Sequence, residues 1–357
     1  MDKKRISIIG AGNAGLALAA YLSLKNYDVC LFNRSLSGFG DLLETKTIVL
    51  KGVISGVSNI YKITDSYEEV VQFSDIIIIT VVSTAHRDIA HKISSYLKSD
   101  KTILLSPGRT FGAYEFRKIL DKNKVTNKIL VAETNSFFFA CRAVNKTLVD
   151  IIGVKNLVLF SVFPAVCMTN VNDILVEIFP GLKLVPSSLI TGLENIGAIL
   201  HPAIMLFNYE CIDRKNDFYF YRDLSKNIIR FISNLDNERI LIGKQLGIDL
   251  SSISDWITMV YPATEGCSLH DKMHNCPAYY NILAPKSINS RYIYEDIKTG
   301  LIPMIEISKY LNLSLELMNS IVVIFSELLG EDLKDGARSF DFMDLSFDKF
   351  ILTEGVK

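Results

Sequence analysis

The first 35 residues constrain the fold most strongly, because they combine a strand, a glycine loop, a helix and a second strand. The β-branched run "RISII" meets a glycine, "NAGLALAAYLSLKN" is rich in alanine and leucine, and "YDVCLFNRS" returns to strand composition. The spacing of Gly10, Gly12 and Gly15 matches G-x-G-x-x-G, the dinucleotide-binding fingerprint. Gly10 allows a tight turn, Gly12 allows close approach to a pyrophosphate, and Gly15 allows the helix to pack on the strand. We therefore expect a nucleotide at Gly10, Gly12, Asn13, Ala14 and Gly15, rather than a glycine turn that binds nothing.

The next 150 residues continue this alternation of strands and helices. "KTIVL", "SDIIIITVV", "KTILLSPG" and "KILVAET" have strand composition, and "NLVLFSVFP" and "LKLVP" extend the sheet to about residue 186. Strands that alternate with helices predict a parallel, doubly wound sheet. We predict a Rossmann-type dinucleotide-binding domain over residues 1–186.

The second half lacks this alternation and predicts an all-helical domain over residues 187–357. Residues 218–247 are typical of one long amphipathic helix, with Gly247 as its stop. "LSSISDWITMVY", "YIYEDIKTGLIPMIEISKYLN" and "SLELMNSIVVIFSELLG" predict three further helices. The fold class is therefore α/β followed by α, with an active site expected in the cleft between the domains.

Composition excludes several classes of function. The chain has 357 residues, and 38 basic against 39 acidic side chains give a net charge of −1, which is not the signature of a nucleic-acid-binding surface. No uninterrupted apolar run has the length of a membrane span, and the N-terminal apolar run is too short for a signal peptide. The six cysteines lack the spacing of a disulfide framework. We expect a cytoplasmic protein without membrane or nucleic-acid partners.

The end of the second strand bears on the choice of nicotinamide cofactor. NAD sites usually place a carboxylate there, bonded to the ribose hydroxyls. This chain has Asn33, followed by Arg34 and Ser35. A missing carboxylate removes repulsion of a 2′-phosphate, and Arg34 could pair with that phosphate. We expect NADP in preference to NAD, with Arg34 stacked on the adenine or solvated as the alternative.

His201 stands in an almost wholly apolar stretch, "NIGAILHPAIMLFNYE". A lone histidine in such a stretch is more often part of a packed core than of a catalytic site. Pro202 disfavours helical geometry at the residue before it. We therefore expect His201 at a helix break or N-terminus facing the cleft, where the helix dipole would lower its pKa.

Four stretches together resemble the octopine/nopaline (opine) dehydrogenase family. They are the glycine loop region, "ETNSFFFACR" at 133–142, "LHPAIMLFN" at 200–208 and "PAYYNILAPKSINSRYIYEDIKTGLIP" at 277–303, with "GARSFDFMDL" as a fainter match. The resemblance covers nearly the whole chain in order. It implies an enzyme that condenses a 2-oxo acid with the amino group of an amino acid by hydride transfer, or catalyses the reverse oxidation. The expected partners are these two small molecules, with a homodimer as the candidate assembly.

The resemblance also implies roles for particular residues. His201 matches the catalytic acid/base, Asp296 its carboxylate partner, and Arg291 the arginine that contacts substrate. Arg291 and Asp296 are five residues apart, which is not one helix face, so a transition from loop to helix between them is one way to bring both into the cleft. Further candidates for substrate binding are Thr134, Asn135, Ser136, Asn208 and Tyr279.

The segment after Thr134 departs from the family. The family more often has Thr-Leu-Pro-Tyr-like residues where this chain has Ser136 and three phenylalanines. The phenylalanines favour wall or core positions, and an apolar amino-acid substrate would suit them.

Three other interpretations compete. "CSLHDKMHNC" places Cys267, His270 and His274 on one helix face, a set that suits zinc, but it lacks the glutamate of H-E-x-x-H, so we expect no metal. The chain could instead be a reductase of the ketopantoate reductase or glycerol-3-phosphate dehydrogenase type, enzymes that rely on a lysine that "NIGAILHPAIMLFN" does not contain. A non-catalytic nucleotide-binding redox sensor is the third.

Overall fold

The structure is a computed structural model that describes residues 4–165 and 172–340, and the side chains of all of these except 172–174. Cys167 and the end of the "GARSFDFMDL" stretch lie outside the described residues. The chain divides into two units, Met1–Gly108 with Gly112–Leu184, and Arg109–Phe111 with Val185–Lys357. We call them the nucleotide unit and the helical unit.

The nucleotide unit contains the strands of two sheets. The strands are β1 Arg5–Ile9, β2 Asp28–Phe32, β3 Thr47–Gly52, β4 Gly56–Asn59, β5 Lys62–Thr64, β6 Ile76–Ile79, β7 Lys101–Leu105, β8 Ile129–Thr134, β9 Phe139–Ala143, β10 Leu148–Val154, β11 Val158–Phe163 and β12 Leu182–Leu184. The helices are α1 Asn13–Leu24, α2 Asp41–Thr45, α3 Tyr67–Phe73, α4 His86–Ser94, α5 Gly112–Lys122 and α6 Asn172–Ile178, with a 3₁₀ turn at Ser83–Ala85. The main sheet has the order β12-β11-β8-β7-β6-β1-β2-β5.

The main sheet confirms the predicted α/β architecture, with two corrections. Strand β11 pairs antiparallel with β8, because the chain returns from β8 through β9 and β10 without a crossover helix, which only parallel neighbours need. Strand β3, the predicted "KTIVL" strand, is not in the main sheet. It pairs antiparallel with β4 and parallel with β10 in a second sheet of order β4-β3-β10-β9.

The helical unit confirms the predicted helical second half. Its helices are α7 Ser188–Leu193, α8 Ile196–Phe207, α9 Tyr209–Asp213, α10 Lys226–Gln245, α11 Ile253–Val260, α12 Leu269–Asn275, α13 Arg291–Asp296, α14 Ile302–Tyr310 and α15 Glu316–Leu329. A π-helix, Ile297–Leu301, joins α13 to α14 without a break. Ser252 caps α11 by accepting from the backbone N–H of Asp255, as serine at this position predicts.

The predicted long helix over 218–247 is shorter than expected. It begins at Lys226, because the Ser225 side chain accepts the backbone N–H of Ile228 and starts the helix there. The residues before it are held in another way: Tyr219 forms an isolated bridge with Leu283, and the Phe220 N–H donates to the Ile282 carbonyl at 2.8 Å. Apolar periodicity alone did not reveal this boundary.

One segment, Ser188–Phe207, has the length and mean hydropathy of a membrane span, although Glu194, Asn195 and His201 interrupt its apolar sequence. It comprises α7 and α8, and 83% of its apolar window is buried inside the protein. Burial of this kind is typical of the core helix of a globular unit.

Candidate active site

The glycine loop has the geometry that the fingerprint predicts. Gly10 has a φ of +114°, which side chains rarely adopt, and a Cβ on Gly15 would lie 1.7 Å from the Gly10 carbonyl oxygen. A Cβ on Gly12 would meet no atom within 4 Å. The loop therefore turns at Gly10, packs at Gly15, and leaves open space at Gly12, where the N-terminus of α1 can face a phosphate.

A cavity of about 540 Å³ lies at this loop, bordered by Gly12, Asn13, Gly40 and Lys146. The Lys146 ammonium donates to the Ala11 carbonyl at 2.9 Å. The Asn13 side chain accepts from the backbone N–H of Ala143 at 3.0 Å. A cation and a helix N-terminus around an open cavity fit a dinucleotide phosphate. Lys146 carried no sequence motif, and only the fold brings it to the loop.

The end of β2 has the predicted polar residues. The Asn33 amide accepts from the Ala11 N–H at 3.4 Å and donates to the Ser35 carbonyl at 2.7 Å, so it braces the glycine loop. Arg34 and Ser35 are exposed. The Ser35 hydroxyl lies 2.7 Å from that of Ser37. An exposed arginine beside paired hydroxyls is suited to an anion.

In the helical unit, His201 lies in the middle of α8, which corrects the expectation of a helix break. The helix runs from Ile196 through His201 and Pro202 to Phe207. Pro202 is buried like its neighbours, and packing of these residues stabilises a helix that proline disfavours. His201 is 8% exposed, so little of its imidazole is open to solvent.

Asp296 reaches His201. The His201 Nδ1 lies 2.6 Å from Asp296 Oδ2, and the Asp296 side chain is fully buried. A carboxylate at Nδ1 fixes the imidazole tautomer with hydrogen on Nδ1 and leaves the lone pair on Nε2. The two residues are 95 positions apart in the sequence, and helices α8 and α13 bring them together.

A buried arginine that the sequence analysis missed lies behind this pair. Arg109 Nη1 lies 3.4 Å from Asp296 Oδ1, and Arg109 Nη2 lies 3.3 Å from Glu295 Oε2. Arg109 also donates to the Asn195 side-chain oxygen at 3.0 Å. It has a φ of +62°, an unusual backbone conformation for a large side chain. Glu295 and Asn195 were also missed, since nothing local distinguishes them.

Arg291 and Asp296 occupy one helix, so the proposed transition between them is wrong. The transition lies before Arg291, where Ser290 caps α13 by accepting from the backbone N–H of Tyr292. Arg291 Nη1 lies 3.3 Å from Glu295 Oε2, one turn along, and its side chain is 51% exposed. Glu295 therefore links exposed Arg291 to buried Arg109. The network joins two arginines, two carboxylates and one histidine, and its charges balance when the histidine is neutral.

This environment lowers the pKa of His201. Burial is the main cause, because it disfavours the imidazolium. Asp296 acts in the opposite direction, while the positive charges of Arg291 and Arg109 add to the lowering. The predicted direction was right, but the cause is burial rather than a helix N-terminus.

Aromatic rings enclose the other side of the imidazole. The Tyr221 hydroxyl lies 2.8 Å from His201 Nε2, and the centroid of the Tyr292 ring lies 4.3 Å from that of His201. Tyr279, a predicted substrate residue, stacks on Tyr221 with centroids 4.2 Å apart. Tyr221 was missed because its segment was predicted to be helical.

Two glycines allow the close packing around the pair. A Cβ on Gly197 would lie 2.8 Å from Arg109 Nη1 and 3.1 Å from His201 Cε1. A Cβ on Gly300, in the π-helix, would lie 2.4 Å from the Ala198 Cβ. π-Helical segments are frequent at functional sites, and this one packs against Ala198 of α8.

The remaining predicted substrate residues have structural partners. Asn208 ends α8 and donates to the Ile204 carbonyl at 2.9 Å. In the nucleotide unit, the Thr134 hydroxyl lies 3.2 Å from that of Ser106, and the Asn135 side chain accepts from the Leu159 N–H at 3.0 Å. Ser136 lies 3.4 Å from the Asn135 side-chain oxygen. Their roles toward substrate stay predictions.

The three phenylalanines that follow Ser136 belong to the nucleotide unit. Phe138 stacks on Phe179 with centroids 3.6 Å apart, and Phe139 packs edge-on against Tyr21. Both belong to the buried core, with Phe137 packed against it. The position of these phenylalanines in and against the core favours a role in packing over a role in substrate specificity.

The segment with the zinc-like spacing forms helix α12. Its N-cap is Ser268, which forms a capping box with Asp271. His270 and His274 stack with ring centroids 6.2 Å apart, and His274 Nδ1 lies 3.1 Å from the Arg222 carbonyl. Within residues 4–165 and 172–340, no three histidine, cysteine or acidic side chains form a group that could hold a metal ion.

Comparison with known proteins relates both units to dehydrogenases. Residues 184–329 match the family model "NAD/NADP octopine/nopaline dehydrogenase, alpha-helical domain", and residues 5–110 match "NAD-dependent glycerol-3-phosphate dehydrogenase N-terminus". The chain is 29% identical to the opine dehydrogenase of Arthrobacter sp. (strain 1C), over 97% of this chain and 96% of that protein.

Solved structures share the fold over the full length. An octopine dehydrogenase structure with NADH and L-arginine covers 99% of both chains, with a TM-score of 0.79 and 17% identity. A yersinopine dehydrogenase with NADP⁺ bound covers 99% of this chain and 98% of that one, with a TM-score of 0.68 and 14% identity. These findings define the chain as an NAD(P)-dependent oxidoreductase that acts on CH–NH bonds. Its helical unit matches the octopine/nopaline dehydrogenase model, and the chain is similar to an opine dehydrogenase over nearly its whole length.

Proposed function

We propose that the chain catalyses reductive condensation of a 2-oxo acid with the amino group of an amino acid, or the reverse oxidation. In condensation, the carbonyl and the amine lose water to form an imine. One hydride and one proton then convert the imine to a secondary amine. The observation that carries this proposal is the buried His201–Asp296 pair, with 2.6 Å between Nδ1 and Oδ2.

His201 is the general acid/base in this proposal. Its lowered pKa keeps the imidazole neutral near pH 7, so it can accept a proton when the secondary amine is oxidised. In condensation the protonated imidazole returns that proton. Asp296 holds the tautomer and stabilises the transient imidazolium.

Arg291 is proposed to bind the carboxylate of the 2-oxo acid. Its side chain is 51% exposed and uses Nη1 toward Glu295, so other N–H groups of the guanidinium can donate two parallel bonds to a carboxylate. The octopine dehydrogenase complex with NADH and L-arginine supports an amino acid as the second substrate. Thr134, Asn135, Ser136, Asn208 and Tyr279 remain candidates for further contacts with these substrates.

The glycine loop with Asn13, Ala14 and Lys146 is proposed to hold the cofactor phosphates. Bound nicotinamide supplies the hydride in condensation and accepts it in oxidation. Asn33, Arg34 and Ser35 are proposed to favour NADP, since an exposed arginine without a neighbouring carboxylate suits a 2′-phosphate. The relatives include complexes with NADH and with NADP⁺. The proposed preference for NADP therefore rests on the residues of this chain alone.

A 2-oxo acid reductase without an amine substrate is the second candidate, because residues 5–110 match a glycerol-3-phosphate dehydrogenase model. The experiment that separates the two is a matrix of 2-oxo acids against amino acids, with NADPH or NADH oxidation as the readout. We expect oxidation only when both an oxo acid and an amino acid are present. Equal oxidation with an oxo acid alone would favour the reductase, and none with any combination would favour a non-catalytic sensor.

A further inference from the structure

Tyr221 is fixed against the catalytic histidine from three directions. Its ring stacks on Tyr279 at an interplanar angle of 19°, with centroids 4.2 Å apart, and meets Phe220 edge-on at 4.9 Å. Its hydroxyl lies 2.8 Å from His201 Nε2, and the residue is 6% exposed. Two ring contacts and one hydrogen bond leave the phenol little freedom to rotate.

The hydrogen-bond directions follow from the tautomer. Asp296 accepts from Nδ1, so neutral His201 has its single lone pair on Nε2, and the Tyr221 hydroxyl donates to it. The same lone pair cannot accept from a substrate while Tyr221 occupies it. Proton exchange between His201 and a substrate therefore requires either passage through the phenol or displacement of the phenol.

We propose that Tyr221 is a catalytic residue that carries the proton between His201 Nε2 and the substrate nitrogen. This inference rests on the proposed function. In oxidation, the substrate N–H gives its proton to the phenol oxygen while the phenol gives its own proton to Nε2. In condensation both transfers reverse: imidazolium Nε2–H donates to the phenol oxygen, and the phenol O–H protonates the substrate nitrogen. One proton arrives and one leaves at Tyr221 in each direction.

Burial supports concerted transfer. It raises the pKa of Tyr221 well above the usual value, with Tyr292 adding to the increase and Arg291 opposing it. A free phenolate is therefore disfavoured, and the phenol passes protons without losing its own first. Tyr221 thus connects His201 to a substrate whose carboxylate Arg291 is proposed to hold.

The test is Tyr221→Phe, which removes the hydroxyl and keeps the ring that stacks on Tyr279. We expect kcat in both directions to fall by about 10²-fold or more, as for loss of general acid–base catalysis, with cofactor affinity unchanged. In mixtures of H₂O and D₂O, the wild type is expected to show the curvature of two protons in transfer, and the variant is not. Tyr294→Phe is the matched control, because it removes a tyrosine hydroxyl from the same unit whose hydrogen-bond partner is Glu331 rather than His201, and it should retain kcat within about threefold.

Retention of kcat by Tyr221→Phe within about twofold, or a faster rate, would overturn the relay and identify Tyr221 as a cap that substrate displaces. The His201→Asn variant, measured in parallel, distinguishes failure of the Tyr221 relay from failure of the proposed role of His201. If His201→Asn is inactive while Tyr221→Phe is normal, only the relay fails; if both are normal, the proposed function of His201 fails. Where Tyr221→Phe unfolds, 3-fluorotyrosine at position 221 keeps the hydroxyl but makes it more acidic. An altered rate would then support the relay, and an unchanged rate and pH profile would overturn it.

Discussion

Gly197 lies one turn before His201 on α8, and Arg109 occupies the space that a side chain at position 197 would fill. A Cβ at Gly197 would lie 2.8 Å from Arg109 Nη1 and 3.3 Å from Asp296 Oδ1. The arginine can approach the Asp296 carboxylate only because no methyl group stands there. The geometry of the His201–Asp296 pair therefore depends on a residue that has no proposed role in the chemistry.

Gly197→Ala is expected to damage activity although alanine favours helices. The substitution gains about 0.5–1 kcal/mol of helix propensity, but the new methyl displaces Arg109 and with it Asp296. A displacement of about 1 Å at a catalytic group costs roughly 10²-fold in rate. Steady-state kcat with cofactor affinity as the control tests this. A normal kcat would show that Arg109 adapts without moving the pair.

Asp296→Asn is expected to lower kcat by about 10²- to 10⁴-fold. An amide no longer stabilises the imidazolium and can favour the wrong tautomer of His201. Cofactor affinity should not change, because Asp296 lies in the helical unit. The matched control is Asp213→Asn, the same chemical change at an exposed position of that unit. Equal kcat for the two variants would contradict the role of Asp296.

The pH dependence of stability follows from the lowered pKa of His201. The folded state binds this proton less readily than the unfolded state, whose histidine has a pKa of about 6.5. As the pH falls below that value, the unfolded state is protonated first, and the free energy of unfolding decreases by at most about 1.4 kcal/mol per pH unit from this group. Below the pKa of His201 in the folded state, both states bind the proton, and this group lowers the free energy of unfolding no further. Urea unfolding at several pH values, with His201→Asn lacking this component, tests the prediction; identical pH profiles would contradict it.

Arg34→Ala is expected to raise KM for NADPH by about tenfold or more, and KM for NADH much less, because only NADPH has a 2′-phosphate to lose a charged partner. Asn33→Asp should also raise KM for NADPH more than KM for NADH, because the new carboxylate would repel the 2′-phosphate. Lys122→Ala provides a control, since Lys122 is an exposed cation at the C-terminal end of α5. An equal change in KM for both cofactors would indicate a general role for Arg34.

The N-terminal fingerprint could be predicted because its information is local. The tasks of Gly10 and Gly15 follow from spacing along a single turn, and the structure has the conformations that the spacing requires. The end of β2 was also predictable, since it lies directly after a strand. These features need only a few neighbouring residues to define them.

The network around His201 could be predicted only in part. His201, Arg291 and Asp296 were found through a resemblance, because no local pattern connects residues 95 positions apart. Arg109 and Tyr221 were missed for different reasons. Arg109 follows a strand of the other unit in sequence, and its bonds to Asn195, Glu295 and Asp296 arise only from tertiary folding. Tyr221 stands in a segment whose apolar pattern resembles a helix, but which the Ser225 cap excludes.

The helix through Pro202 shows how packing overrides a local rule. Proline removes one backbone bond and disfavours helical geometry at the residue before it. The face of α8 that includes Leu200, His201 and Ala203 is nevertheless buried, and burial of apolar side chains stabilises the helix by more than the proline costs.

Product analysis tests the central claim most directly. Wild-type enzyme and His201→Asn are each incubated with NADPH and with the 2-oxo acid and amino acid that the substrate matrix selects, and the products are identified by mass spectrometry. We predict that the wild type forms a secondary amine containing both carbon skeletons, and that His201→Asn binds the cofactor but forms almost none. The corresponding 2-hydroxy acid with unchanged amino acid from the wild type, or equal yields of secondary amine from both proteins, would contradict the account.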